Sequence, residues 1–169
     1  MRPMAIIVAV DESGGFGKDG KIPWHSKEDF AHFKEVTKGH PCVMGRKTYE
    51  DMLAMKKDKD NIKEILPGRQ SFVVTSNNEF EAPGATVVNG LRAAVQSLDG
   101  NDHRPVFVLG GEKLFIEALA WTETIHMTIM DGDYDCDRFF PIKTLEKFAI
   151  VDGKLGDGLK FVTYKRRRW

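Results

Sequence analysis

The sequence predicts an α/β fold: a central, mostly parallel twisted sheet with helices on both faces and an antiparallel hairpin at its C-terminal end. Three observations carry this. Met4–Val10 is continuously apolar, short and rich in Ile and Val, as expected of a strand buried on both faces in the middle of a partly parallel sheet. Strand-like and helix-like segments then alternate up to about residue 120. Beyond it strands dominate, and Phe148–Lys154 and Leu159–Arg166 flank Gly156-Asp157-Gly158 as a closing hairpin.

The elements follow in order. After the first strand comes a glycine-dense loop, GGFGKDGKIPW, which can approach a ligand closely and move as a lid. A helix is expected from about Lys27 to Thr37. Ser26 stands three residues before Asp29, ahead of an apolar-periodic run, which is the spacing of a capping box. Gly39 and Pro41 end that helix. Cys42–Met44 reads as a short strand running into Gly45, and Arg46–Met55 as a helix. Lys56–Glu64 is charge-rich and reads as a solvated loop or a frayed helix end, and Leu66-Pro67-Gly68-Arg69 is a turn signal. Ser71–Thr75 and Ala85–Val88 read as strands around a polar loop, and Leu91–Leu98 as a helix. Val106–Leu109 is a buried strand running into Gly110-Gly111. A helix with Leu114, Phe115, Ala118 and Leu119 on one face follows, then a strand over Thr124–Met130 and an acidic connection over Asp131–Asp137. No repeat or composition shift divides the chain, so 1–169 reads as a single domain.

Lys+Arg and Asp+Glu both number 25, so no global charge argues for nucleic acid or a membrane surface. The basic end, Lys165–Trp169, reads as the solvated finish of the last strand. Cys42 and Cys136 have no zinc or disulfide spacing, which fits a reducing compartment, and no metal is expected. The start, MRPMAIIVAVDE, is too short an apolar run for a signal peptide or a membrane span. The expectation is a cytoplasmic protein.

Asp29 is the leading candidate for chemistry. It lies among Trp24, Phe30 and Phe33, and residues three and four apart share a helix face. Phe30 and Phe33 should point together toward a core, which leaves Asp29 at the rim of an apolar cleft with its pKa raised by desolvation. Taken alone, a lone Asp in a first helical turn more often simply favours the helix N-terminus. Two strand–glycine–helix junctions, Val43-Met44-Gly45-Arg46-Lys47-Thr48 and Val108-Leu109-Gly110-Gly111-Glu112-Lys113, could hold an anion on free helix N–H groups. Neither matches the G-x-G-x-x-G or G-x-x-x-x-G-K-[ST] fingerprint.

The Pro-Trp loop with its acidic helix, MGRKTYE, LPGR, FVVTS, VLGGEKLF, the strand holding Thr128 and DRFFP occur in this order, and together they resemble dihydrofolate reductase over nearly the whole chain. In that family a Gly-rich Pro-Trp loop covers the nicotinamide and one acidic residue a few positions later binds the pterin. The resemblance implies the fold, a cofactor, NADPH, and a reaction. That reaction takes 7,8-dihydrofolate to 5,6,7,8-tetrahydrofolate by hydride transfer to pterin C6 and protonation at N5, and it supplies one-carbon and thymidylate metabolism. Antifolate-like small molecules are implied as further ligands, and a monomer as the working form.

The resemblance also implies roles. Asp29 would hydrogen-bond the pterin 2-amino group and N3 and favour N5 protonation through water. Thr128 would support that carboxylate, with Ile22 and Trp24 beside the reacting rings. Arg69, in LPGR, would bind the α-carboxylate of the glutamate tail, for which a guanidinium fork is suited. Ala5, Ile7, Phe30, Phe33, Met52 and Leu66 would line the cleft. On the cofactor side it implies Gly45, Arg46, Lys47 and Thr48, then Thr75 and Ser76 beside the 2′-phosphate. It further implies Gly110, Gly111, Glu112, Lys113, Leu114 and Phe115, with Ala9, Gly17, Lys18, Asp19, Gly20 and Lys21 at the nicotinamide and lid. Phe115 stands where many members carry tyrosine, and Lys56–Ile65 is longer than in the most compact members. A reductase of the same fold acting on a pyrimidine, or a non-catalytic binding module, is the alternative. Asp29 on the Pro-Trp helix together with LPGR argues against the first, and the intact carboxylate, both cofactor turns and the lid argue against the second.

Overall fold

The protein is described by a computed structural model covering residues 2–168, so Met1 and Trp169, the last residue of the basic tail, lie outside the described residues. The strands are β1 (Met4–Val10), β2 (Gly15–Gly17), β3 (Cys42–Gly45), β4 (Ser71–Val74), β5 (Thr86–Val88), β6 (Val106–Val108), β7 (Thr122–Met130), β8 (Arg138–Phe139), β9 (Phe148–Leu155) and β10 (Leu159–Arg166). The α-helices are α1 (Lys27–Thr37), α2 (Arg46–Ala54), α3 (Leu91–Gln96) and α4 (Glu112–Ala118). Eight strands form one sheet in the order β5-β4-β3-β6-β1-β7-β10-β9. All neighbours from β5 to β7 run parallel, and β10 is antiparallel to both β7 and β9.

β1 is buried on both faces, and its alternation sorts the core. Met4, Ile6, Val8 and Val10 pack with Leu91 and Ala94 of α3 and with Leu114, Phe115 and Ala118 of α4. Ala5 and Ile7 face the other way, toward Phe33 and Val36 of α1. Tyr49, Met52 and Leu53 of α2 cover Met44 and Val73 on that second side. A strand whose successive side chains enter opposite layers can be apolar throughout, which is why the opening run lacks alternation.

The structure departs from the sequence reading in several places. Val106–Leu109 ends as a strand at Val108, and the helix expected to reach Leu98 ends at Gln96. β7 begins at Thr122 rather than Thr124. A small second sheet pairs β2, inside the glycine-dense loop, with β8, inside DRFFP. A 3-10 turn spans Ile142–Lys147. Such short pieces show no periodicity, and the second sheet exists only because distant segments meet.

Candidate active site

Asp29 sits in the first turn of α1. Ser26 caps the helix: its Oγ accepts a hydrogen bond from the Asp29 N–H at 3.1 Å. The reciprocal half of a capping box is replaced by a tertiary contact, because the carboxylate turns to β7, where Thr128 Oγ1 donates to Asp29 Oδ1 at 2.7 Å. Thr128 is buried. Burial raises the Asp29 pKa above the ordinary carboxylate value, while the Thr128 hydroxyl and the nearby His32 pull it back. The neighbouring Glu28 fixes the helix start by accepting from Asp157 N–H in the β9–β10 turn at 2.9 Å.

The apolar wall is divided. Ala5, Ile7, Phe33 and Leu66 belong to one packed cluster, and Met52 and Leu66 to the next. Phe30 does not point into the core with Phe33, as expected from the sequence; it is 44% exposed, with the His25 ring edge-on to it. The apolar side chains of α1 that pack with Ala5 and Ile7 are Phe33 and Val36, one and two turns further on, and Phe30 is left facing outward near Asp29. Ile22 is 64% exposed. Trp24 packs with Met130, Leu159, Phe161 and Tyr134, its ring edge-on to Tyr134 at 5.2 Å.

Arg69 is buried, and its guanidinium is held on three sides. Nε donates to Thr37 Oγ1 at 2.9 Å, Nη1 to Pro67 C=O at 2.6 Å and Nη2 to Lys34 C=O at 3.0 Å. Thr37 in turn donates to Phe33 C=O at 2.7 Å. A guanidinium has five N–H groups, so one N–H remains on each terminal nitrogen as a donor for a carboxylate. A surface cavity of about 590 Å³ near the amino ends of β3, β4 and β5 has Arg69 in its wall, together with Lys63, Gln70 and Arg104, but not Asp29.

The two glycine turns meet. Gly45 N–H donates to Gly110 C=O at 2.7 Å, and Leu109 N–H to Val43 C=O at 2.9 Å. Gly45 and Gly111 are the N-caps of α2 and α4, neither with a side-chain cap. Gly110 has φ +121°, and a Cβ there would press on Phe115 and Thr48. Phe115 and Leu114 are buried, so both support the turn from beneath; Glu112 and Lys113 are exposed. Arg46 pairs with Glu50 at 3.1 Å and lies over the Phe80 ring, and Lys47 pairs with Asp51 at 2.6 Å. All are exposed or half-buried. Thr75 and Ser76 follow β4, Ser76 exposed. Ala9 lies near the carboxyl end of β1, beside Thr128 in register.

The lid is tied to the acidic connection. Gly15 and Gly17 pair with Phe139 and Arg138. Lys18 Nζ meets Asp135 at 2.7 Å, and Asp19 N–H donates to Asp137 at 3.0 Å. Gly20 has φ +76°, and a Cβ there would lie 3.7 Å from Lys47 Cε, which brings the lid beside α2. Lys21 closes the loop tip by pairing with Lys18.

A family model described as Dihydrofolate reductase matches residues 3–166. The chain belongs to the dihydrofolate reductase family. It is 34% identical to "Dihydrofolate reductase type 3" of Salmonella typhimurium, covering 98% of this chain and 99% of that one. It is 33% identical to the "Dihydrofolate reductase" of Bacillus subtilis (strain 168), over 90% and 84% of the two chains. A solved dihydrofolate reductase from Enterococcus faecalis, complexed with NADP(H) and RAB-propyl, superposes with a TM-score of 0.83 at 28% identity. That match covers 98% of this chain and 97% of that one.

In this dihydrofolate reductase, Asp11 escapes a motif-based reading. It is 1% exposed and accepts from Ser13, Gly15 and Tyr134 N–H groups at 3.0, 2.9 and 3.0 Å, so it binds the lid and the acidic connection to the end of β1. Those hydrogen bonds outweigh its burial and lower its pKa. The signal was an acid directly after a buried strand. Thr37, which orients Arg69, had no signal beyond its place in the last turn of α1. Among the described residues no group of three or more His, Cys, Asp or Glu could hold a metal ion, and no helix is long and apolar enough to cross a membrane.

Proposed function

We infer that the protein reduces dihydrofolate with NADPH, and that Asp29 is the acidic group of its pterin site. The single observation carrying this is the Asp29–Thr128 contact at 2.7 Å. It holds one carboxylate, with a raised pKa, above the β1–β7 strand pair in a family whose reaction needs a proton at N5.

The residues present fit the cofactor. The α2 N-terminus carries N–H groups without a side-chain cap, beside two exposed cations, Arg46 and Lys47. On Gly111, the side a Cβ would take is open space. Arg46, Lys47, Thr75 and Ser76 would hold the 2′-phosphate and diphosphate, and Gly45, Gly110 and Gly111 the backbone contacts. An acidic residue for a ribose 2′-OH is not among them, which favours NADPH over NADH. When bound, the cofactor supplies the hydride.

The chain's own residues do the rest. Asp29 binds the pterin amino group and N3 and orders the water that protonates N5. Thr128 keeps the carboxylate aimed. Arg69 holds the tail carboxylate on its two free N–H groups. Ala5, Ile7, Phe33, Met52 and Leu66 form the apolar wall, with Phe30 and Ile22 offering exposed apolar surface to the substrate. Gly17–Lys21 close over the rings and exclude water, with Trp24 fixing the loop end. On this reading the chain is one domain, works as a monomer in the cytoplasm, binds antifolate-like molecules at the pterin site and takes no nucleic acid. Oxidation of NADPH by the purified protein should depend on dihydrofolate; equal oxidation without it, or with a pyrimidine substrate instead, would refute the assignment.

A further inference from the structure

His32 lies three residues after Asp29 on α1, so the two side chains are neighbours on one helix face. Its ring stacks on Phe161, centroids 4.0 Å apart and planes 28° apart. Phe161 of β10 is the register partner of Thr128 of β7, and Thr128 donates to Asp29. The contacts therefore close a circuit: Asp29 to Thr128, across the strand pair to Phe161, onto the His32 ring, and back through one turn of α1. A histidine pinned face-on against an aromatic ring has lost most of its rotamer freedom, so its distance from the carboxylate is fixed by packing.

We propose that His32 is a positioning residue of the proton-handling site, its imidazole and the Asp29 carboxylate forming one coupled charge unit in which the state of the ring sets how readily the carboxylate takes a proton. The inference rests on the reading of Asp29 given above. The groups facing the ring are Asp29 on α1, His126 on β7 and Lys154 on β9, the last being the register partner of Phe161. Burial lowers the His32 pKa first; Asp29 then raises it and Lys154 lowers it. His126, half-buried on β7, is pushed down to about 4 by burial and by His32 and His40. A charged His32 stabilises a charged Asp29. Removal of the ring's charge leaves the carboxylate without a counter-charge on its own helix, because Lys27 and Lys34 are exposed and absent from the causes of its shift.

The test is side-chain NMR titration of the protein without substrate or cofactor, following the Asp29 carboxyl carbon and the His32 ring carbons. In His32→Gln and His32→Phe the Asp29 midpoint is expected to move up. In Asp29→Asn the His32 midpoint is expected to move down, a displacement that altered packing around Asp29 does not explain. A His32 midpoint unmoved in Asp29→Asn, or an Asp29 midpoint unmoved in both His32 variants, overturns the proposal. In single turnover, His32→Gln should depart from wild type only below the His32 midpoint, with NADPH affinity unchanged; a uniform loss at every pH overturns it as well. Asp29→Asn with full hydride-transfer rate would instead refute the role of Asp29 in catalysis, a result separable from the two titrations.

Discussion

Thr128 makes the clearest residue-scale case. Among the described residues its hydroxyl is the one side-chain donor on a half-buried carboxylate, so Thr128→Val strands the charge. A hydrogen bond to a charged group is worth about 1.5–3 kcal/mol, and denaturation at neutral pH should show a loss of that order. The loss should shrink at low pH, where Asp29 is protonated; a pH-independent loss would mean Thr128 acts only through packing. Arg69→Lys should raise KM for dihydrofolate roughly 10–100-fold, the equivalent of one charge-assisted contact, with kcat little changed. Substrate titrations at saturating NADPH read this. Asp29 was legible because Ser26 announces the helix start, and its partner Thr128 through the family motif. Phe30 was misread, because residue spacing gives the helix face but not how far along that face the sheet extends. His32 left no signal at all: its significance comes from Phe161, far away in the chain.

At the scale of elements, the lid is held by small pieces that periodicity cannot reveal. β2 and β8 pair only because Asp11 gathers the lid and the acidic connection at the end of β1. Gly15 is the tightest point: a Cβ there would lie 2.3 Å from the Cys136 Cβ, far inside contact distance. Gly15→Ala should therefore separate the lid from the acidic connection. The expected result is faster proteolytic cleavage within Ser13–Lys21 and a slower hydride step with the sheet intact by circular dichroism. Unchanged proteolysis would show that the lid is secured elsewhere. The long strands and α1 and α2 were legible because each carries a clean apolar pattern and an N- or C-terminal signal. α3 ended early because Ser97, its C-cap, bonds back onto the last turn, which nothing in its composition separates from continuation.

For the whole molecule, the sheet order puts β1 between β6 and β7, so the carboxyl ends of β1, β3 and β6 gather Asp11, Gly45 and Gly110 at one rim. This is where ligands collect in open α/β sheets. The site also has a stability cost that reads out globally. Asp29 has a raised folded pKa, so the folded state holds its proton more tightly than the unfolded chain. Its favourable contribution is complete below the unfolded value of 3.8 and is lost as pH rises through the folded midpoint. Asp29→Asn should therefore be more stable than wild type at neutral pH, the gap closing on acidification; denaturant midpoints across that range test it, and a variant less stable at neutral pH would contradict the burial account.

Whether this carboxylate governs the proton step of dihydrofolate reduction is tested most directly by single-turnover hydride transfer against pH, because product release can mask the step in steady state. The wild-type rate should fall about tenfold per pH unit on the alkaline side. That midpoint belongs to Asp29, bound water and N5 together. Asp29→Asn should lower the rate strongly at neutral pH, flatten or shift the decline, and leave NADPH affinity intact. A wild-type rate independent of pH from about 5 to 9, or an Asp29→Asn rate near wild type at neutral pH, would contradict the account.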